Sequence, residues 1–337
     1  MKAYQVTPGE GLAGLKAVER AARAPAAGEV VVGVRAVSLN YRDTIIPKFN
    51  YAGEAKPLVP CSDGAGEVLA VGSAVKRFKK GDRVAGIFFQ GWLDGPIGPA
   101  ETTAALGGGV DGMLAQQVHL DENGLVAVPH SYTYAEAACL PCAAVTAWNA
   151  LFVEGGIRPG DTVLLQGTGG VSIWALQLAK AAGMRVILTS SSDDKLKRVR
   201  DLGADDTINY KATPEWQNEA LKLTGGRGVD LVLEVGGADT LKRSVMATRY
   251  GGTVAVIGGV SGFAGPFELM PLLMGAKTMK GIYVGSRKMF EDLNRFVTAQ
   301  KIKPVVDRAF PFEQARAAYD RLEAARHFGK VVIEVPA

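Results

Sequence analysis

Cysteine and histidine are scarce in this chain, and so is any excess of charge. There are three cysteines in 337 residues, an odd number, with two of them in Cys139-Leu140-Pro141-Cys142. They make no disulfide framework, and with no thioredoxin-like context around the pair, buried structural thiols are expected rather than a redox couple. The formal net charge is only +4, without a basic run, so nucleic acid is not expected as a partner. No stretch reads as apolar and long enough to cross a bilayer, and Met1-Lys2-Ala3-Tyr4-Gln5 opens without a signal-peptide core. A cytoplasmic protein with no membrane partner is the expectation. Glycine, by contrast, is plentiful at 42 residues, and a chain of this length favours two domains over one core.

The glycines matter most where a strand meets a helix. Thr162-Val163-Leu164-Leu165-Gln166 is an apolar β-type run that stops at Gly167-Thr168-Gly169-Gly170-Val171-Ser172, and the helical pattern Ile173-Trp174-Ala175-Leu176-Gln177-Leu178-Ala179-Lys180 follows at once. Strand, tight turn and helix in that order are those of a dinucleotide-binding unit, although a glycine turn there also occurs in α/β proteins that bind nothing. Gly167 lets the chain turn sharply, Gly169 and Gly170 keep side chains away from a phosphate, and the free N–H groups opening the helix favour an anion. Ser172 departs from the third glycine of the usual pattern. Gly183 reads as the C′ residue of the helix, and further strands recur at Met184 to Thr189, Asp206 to Tyr210, Val229 to Val235, Gly252 to Ile257 and Thr278 to Val284. The better-defined runs are apolar on both faces, as in a doubly wound parallel sheet.

The tip of the second of these strands bears on the choice of dinucleotide. Roughly 20 residues past the turn, an NAD-binding unit offers Asp or Glu to the ribose hydroxyls. Here Thr189-Ser190-Ser191-Ser192-Asp193-Asp194-Lys195 places Ser190 where the acid belongs. Hydroxyls at Ser190 and Ser191, with Lys195 and then Arg198 and Arg200, suit a 2′-phosphate, which needs donors and positive charge. NADP(H) is therefore expected over NAD(H). Ser191 with Asp194 also fits a capping box for the next helix, and both readings can hold together.

Residues 1 to about 125 have another character. Gly28 to Val37 places Val30, Val32, Val34 and Ala36 on one strand face, and Gly64 to Gly72 and Lys80 to Gly86 are short strands bounded by glycine turns. This portion reads as mainly β. Phe88-Phe89-Gln90-Gly91-Trp92 leads into a stretch from Leu93 to Val110 that is rich in glycine and short of charge. So long a loop reads as the wall or lid of a substrate pocket with Phe89 and Trp92 as lining, or as a cover over two core aromatics.

Taken together, Pro60-Cys61-Ser62-Asp63-Gly64-Ala65-Gly66-Glu67-Val68, Gly81-Asp82-Arg83-Val84, Leu140-Pro141-Cys142-Ala143-Ala144-Val145-Thr146-Ala147-Trp148, the Gly167 turn, Leu202-Gly203-Ala204-Asp205 and Phe328-Gly329-Lys330-Val331-Val332 resemble the medium-chain dehydrogenase/reductase superfamily. Within it the chain is similar to the zinc-independent branch that includes the quinone oxidoreductases. The resemblance implies an α/β protein: a Rossmann doubly wound parallel sheet at 126–302 plus a GroES-like, mainly β catalytic domain at 1–125 and 303–337. It also implies hydride transfer with a nicotinamide cofactor.

Zinc enzymes of the superfamily bind catalytic zinc through a cysteine, a Gly-His-Glu segment and a second cysteine or an aspartate. On this chain those positions hold Asn40, Ser62-Asp63 and Cys142, so no metal is expected, because one thiolate cannot hold a zinc that needs about three protein ligands. Hydrogen bonds must then stabilise the oxyanion. The resemblance places Asn40 and Asp43 beside the nicotinamide and Tyr51 where enoyl reductases present a tyrosine; Tyr41 is the competing donor. It assigns cofactor contacts to Thr146, to Gly167, Thr168, Gly169, Gly170 and Val171, to Ser190, Ser191 and Lys195, and to Tyr210, Gly258, Ser286, Arg287 and Lys330, the last near the pyrophosphate. Relatives pair two Rossmann sheets along the strand around Ile282, which implies a homodimer. The expected activity is NADPH-dependent reduction of a small quinone or α,β-unsaturated carbonyl. A zinc-independent alcohol dehydrogenase or ketone reductase, and a non-enzymatic NADPH-binding structural protein, are the alternatives.

Overall fold

The valine-rich run after Gly28 is the spine of the first half of the structure. A computed structural model describes residues 1–49 and 56–336. The chain forms two units, residues 1–145 with 285–337, and residues 146–284. In the first unit β1 (Lys2–Gln5) and β2 (Lys16–Glu19) form a small antiparallel pair. The main sheet begins with β3 (Glu29–Leu39), β4 (Asp63–Val71), β5 (Arg83–Gly86), β6 (Gln117–Asp121) and β7 (Leu125–Ala127).

Strand β3 differs from the simple alternation of its sequence. Its pairing with β4 shifts register between Val34 and Ala36, and such a bulge moves the following side chains to the other face. The core therefore takes Val30, Val32 and Val34 before the bulge, and Val37 and Leu39 after it. The short helix α1 (Tyr41–Ile45) follows directly.

The second unit is the expected sheet. Strands β8 (Thr162–Gln166), β9 (Arg185–Ser190), β10 (Asp206–Asn209), β11 (Val229–Glu234), β12 (Thr248–Val256) and β13 (Thr278–Gly281) are all parallel, in the order β10-β9-β8-β11-β12-β13. Every residue of β8 and β11 is buried, which is why these runs lack a polar face. The helices are α2 (Gly170–Ala181), α3 (Asp193–Asp201), α4 (Trp216–Leu223), α5 (Leu241–Ala247) and α6 (Met270–Met274). Gly183 lies just past α2 at φ +80°, as a C′ glycine should.

The chain then returns to the first unit with α7 (Arg287–Ala299), β14 (Val306–Pro311), α8 (Ala315–Glu323) and β15 (Lys330–Glu334). Strand β15 sits between β14 and β3, antiparallel to β3. The packing boundaries, 145/146 and 284/285, differ from the 125/126 and 302/303 read from sequence. Strand β7 pairs with β5, and α7 is held to the β6–β7 region through Arg287 on Asn123 and Asn294 on the Ala127 carbonyl.

One expectation is corrected by the helical run Tyr134–Val153, which is long and apolar enough in composition to cross a bilayer, although no such stretch was read from the sequence. Of its most apolar window 72% is buried inside the protein, which marks it as a core helix. Two of its turns, Leu140–Ala144 and Asn149–Val153, are π-helical.

Candidate functional site

In the 146–284 unit the turn after β8 leaves a helix N-terminus uncapped. Gly167 stands at φ +70°, a conformation that costs any residue with a Cβ about 1–2 kcal/mol. Its N–H donates to the Thr189 carbonyl at 2.8 Å. Helix α2 starts after Gly169, and no side chain caps its N-terminus, so its first N–H groups remain open for a ligand. Ser172 explains its own departure from glycine: its hydroxyl donates to the Gln166 carbonyl at 2.6 Å and closes the turn from below. The chemistry of this end, open N–H groups at a helix N-terminus with no side chain in the way, suits the anionic pyrophosphate of a dinucleotide.

Beneath the turn lies a group that sequence reasoning missed. Glu234, wholly buried at the end of β11, accepts from Gln166 Nε2 at 2.8 Å, from the Gly236 and Gly237 N–H groups at 2.7 and 2.9 Å, from Thr240 Oγ1 at 2.6 Å, and from the Ser244 hydroxyl. Gln166 Oε1 in turn accepts from the Val235 and Gly236 N–H groups at 3.2 and 3.1 Å. One carboxylate thus fixes the loop after β11 and the strand end that carries the phosphate turn. The available signal was a lone glutamate inside an apolar strand, a residue type that is buried only when paired.

At the tip of β9, Ser190 is 4% exposed and its hydroxyl accepts from the Ser192 N–H at 3.3 Å. The N-cap of α3 is Ser192, whose hydroxyl accepts from the Lys195 N–H, so the cap falls one residue later than the sequence pattern placed it. Ser191 and Lys195 are half-buried. The Tyr210 N–H donates to the Ser190 carbonyl at 3.1 Å, and its side chain is exposed. The nearest acid in sequence, Asp193, accepts from Asn209 Nδ2 at 2.8 Å. Gly258 follows β12 and lines an apolar cavity of about 140 Å³ with Gly237, Ala238, Leu241, Val256 and Phe263. It lies at the carboxyl ends of β11 and β12, where ligands of open α/β sheets bind. Thr146 and Thr168 are buried.

The remaining candidates belong to the other unit. Ser286 is the N-cap of α7, accepting from the Met289 N–H at 3.2 Å, and Arg287 bonds the Asn123 carbonyl and side chain. Phe89 and Trp92 are buried against each other, and the Trp92 indole donates to the Gly95 carbonyl at 2.9 Å. They are core residues under the 93–110 stretch and not an exposed lining. Tyr51 lies outside the described residues. Tyr41 opens α1 and is half exposed.

The structure brings Asn40, Ser62, Asp63 and Cys142 together with Lys330. The turn into β4 passes through Cys61 at φ +72°, and Ser62 and Asp63 follow it inward, both wholly buried. Ser62 Oγ donates to Asp63 Oδ1 at 2.7 Å, Asn40 Nδ2 donates to Ser62 Oγ at 3.4 Å, and the Cys142 N–H donates to Asp63 Oδ2 at 3.2 Å. Lys330 is 3% exposed; its ammonium donates to the Leu39 carbonyl at 2.7 Å and to Asn40 Oδ1, and lies 3.8 Å from Asp63 Oδ2. Its charge is thus engaged inside this unit. Burial pushes the Cys142 thiol up to about 12, so it stays protonated. A zinc ion would meet one thiol, one carboxylate already bonded through both oxygens, and a buried ammonium; these residues do not fit the metal.

Asp43 completes the cluster. Its Oδ2 accepts from the Asn40 N–H at 2.7 Å, while Oδ1 is buried and has no partner among the described residues. Burial, against the pull of Arg42, raises its carboxyl to about 6. The unfolded group titrates near 3.8, so between those values the folded state holds the extra proton and stability falls as pH rises. Asp43→Asn removes that penalty and is expected to gain about 2–3 kcal/mol relative to wild type between pH 4 and pH 7. Urea unfolding of both proteins at the two pH values measures it; an identical difference at both would show that Asp43 ionises freely in the folded state.

Two family models match the chain. Residues 26–130 match the alcohol dehydrogenase GroES-like domain and residues 170–299 the zinc-binding dehydrogenase domain. A zinc-type alcohol dehydrogenase-like protein of Schizosaccharomyces pombe is 45% identical over 91% of each chain. Among solved structures, an NAD-dependent alcohol dehydrogenase superposes with a TM-score of 0.91 at 34% identity over 100% of each chain. A quinone oxidoreductase of Pseudomonas syringae pv. Tomato DC3000 gives 0.84 at 27% identity over 99% of each.

Proposed function

The chain belongs to the medium-chain dehydrogenase/reductase superfamily, and from that premise we propose that it is a zinc-independent, NADPH-dependent reductase of quinones or α,β-unsaturated carbonyls. The observation that carries the reading is the buried cluster of Asn40, Ser62 and Asp63, which stand at the ligand positions of the superfamily's zinc enzymes, with Lys330 bonded to Asn40. Without a Lewis acid a saturated ketone is poorly activated, whereas the β-carbon of an enone or a quinone is already electrophilic and asks only that the oxygen be held.

The chain's own groups supply the rest. The open N–H groups of α2 bind the pyrophosphate, and Ser190, Ser191 and Lys195 bind the 2′-phosphate. The NAD-dependent relative means that the family alone does not fix this choice, which rests on the acid-free tip of β9. When bound, NADPH supplies the hydride. Asn40 holds the carbonyl oxygen as negative charge develops there. Tyr51 or Tyr41 returns a proton.

A second reading, ketone reduction, is favoured by the relatives named alcohol dehydrogenases. The product formed from 2-cyclohexen-1-one and NADPH separates the two. Cyclohexanone is the expected product; 2-cyclohexen-1-ol would put hydride on the carbonyl carbon and replace this reading with the second. Tight NADPH binding without turnover of any enone, quinone or ketone would mark a structural cofactor-binding protein.

A second copy of the chain is the proposed partner of the sheet edge. Strand β13 is the last strand of its sheet and all four of its residues are exposed. Met270, Leu273 and Met274 on α6, and Tyr283 just past β13, are exposed as well. An uncovered edge beside apolar side chains invites pairing. Sedimentation equilibrium is expected to give the mass of two chains; a monomer at micromolar concentration would overturn the dimer.

A further inference from the structure

The donor and acceptor polarity around Lys330 is fixed from both ends. An ammonium can only donate and a carboxylate can only accept. Lys330 donates to Asn40 Oδ1, so the Asn40 amide must turn its Nδ2 away from the lysine. Asp63 Oδ1 takes the Ser62 hydroxyl proton, so Ser62 Oγ can only accept from Asn40 Nδ2. The relay runs one way, from Lys330 through Asn40 and Ser62 to Asp63, and the amide has no flipped alternative. Among the described residues Nδ2 meets only Ser62, at 3.4 Å, which leaves its second N–H unclaimed.

We propose that Lys330 is the positioning residue of the reductase: its buried charge, bonded to Asn40 Oδ1 and 3.8 Å from Asp63 Oδ2, holds Asn40 as an N–H donor to the substrate oxygen. Strand register makes this possible. Val331 of β15 pairs with Leu39 of β3, so Lys330 emerges beside the strand end at which Asn40 begins α1. The two chain segments are 290 positions apart, yet the central place of β15 holds them together. The inference rests on the reductase reading for its kinetic arm only.

The test uses the full-length protein, 2-cyclohexen-1-one with NADPH, and the variants Lys330→Met, Lys330→Arg, Asn40→Leu and the Met/Leu double variant. Lys330→Met is expected to lower kcat about 100-fold with the NADPH dissociation constant within about twofold of wild type, and Lys330→Arg to recover at least a tenth of wild-type kcat. If Lys330 acts through Asn40, the double variant is no worse than Asn40→Leu alone. Losses that multiply, or a Lys330→Met that weakens NADPH binding about tenfold at unchanged kcat, would return Lys330 to an independent role or to the phosphate.

A second readout does not need turnover. In protein labelled with 15N at asparagine, the side-chain amide signal that disappears in Asn40→Leu is expected to shift in Lys330→Met and to return toward its place in Lys330→Arg. If wild type reduces no enone, the reductase reading fails while this signal still decides the Lys330–Asn40 coupling. If Lys330→Met does not fold, Lys330→Gln takes its place: an Asn40 amide signal that does not move in Lys330→Gln, with kcat unchanged in Asn40→Leu, overturns the proposal.

Discussion

Glu234→Ala is expected to destabilise the 146–284 unit by about 3–5 kcal/mol. The carboxylate accepts five hydrogen bonds in a site with no exposure, and truncation takes the acceptor from all five donors, although Gly236, Gln166 and Thr240 each keep a second one. Each neutral buried donor left unsatisfied costs about 1–3 kcal/mol, and relaxation of Thr240 and Ser244 toward other acceptors recovers part of the total. Glu234→Gln keeps the shape, but sets an amide N–H₂ against groups that are themselves donors, so it is expected to cost about half as much. Urea unfolding followed by fluorescence reports this unit through the buried Trp174 and Trp216. A loss below about 1 kcal/mol for Glu234→Ala would mean that the network reorganises freely. The same variant is expected to bind NADPH more weakly, because Gln166, at the strand end before Gly167, loses its charged partner and keeps only Ser244 and the Val235 and Gly236 N–H groups.

What was legible in the sequence was local. The passage from β8 through Gly167 to α2 shows as a change of period, from an apolar run to a helical repeat, within a dozen residues. The inner parallel strands β8, β9 and β11 show because burial on both faces leaves them few polar residues. The misses come from contacts between distant parts of the chain. Strand β12 starts at Thr248, ahead of the apolar run, because Thr248 pairs with Val229. Strand β3 changes its buried face at a bulge set by β4, a change that alternation along β3 cannot show. The cap of α3 sits on Ser192 because three consecutive serines offer equivalent hydroxyls and the turn after Ser190 chooses among them. Lys330 illustrates the limit best. Its motif is visible in Phe328-Gly329-Lys330-Val331-Val332, but its acceptors are the Leu39 carbonyl and the Asn40 side chain, and nothing in the spacing names them.

Ser190→Asp is expected to reverse the coenzyme preference, lowering the ratio of kcat/KM for NADPH over NADH by about 100-fold or more, equivalent to roughly 2.7 kcal/mol. The carboxylate works in both directions. It accepts from the ribose hydroxyls of NADH, as the acid of an NAD-binding unit does, and it repels a 2′-phosphate in a site of low dielectric. The position suits the exchange: Ser190 ends β9, its hydroxyl already accepts from the Ser192 N–H, and an aspartate can accept the same bond without moving the chain. The acid already nearby does not take this role, because Asp193 is turned to Asn209 at the start of α3. Steady-state kinetics with both coenzymes and one enone make the measurement. A wild type that prefers NADH, or a ratio that moves less than about threefold in the variant, would place the 2′-phosphate elsewhere than at the tip of β9.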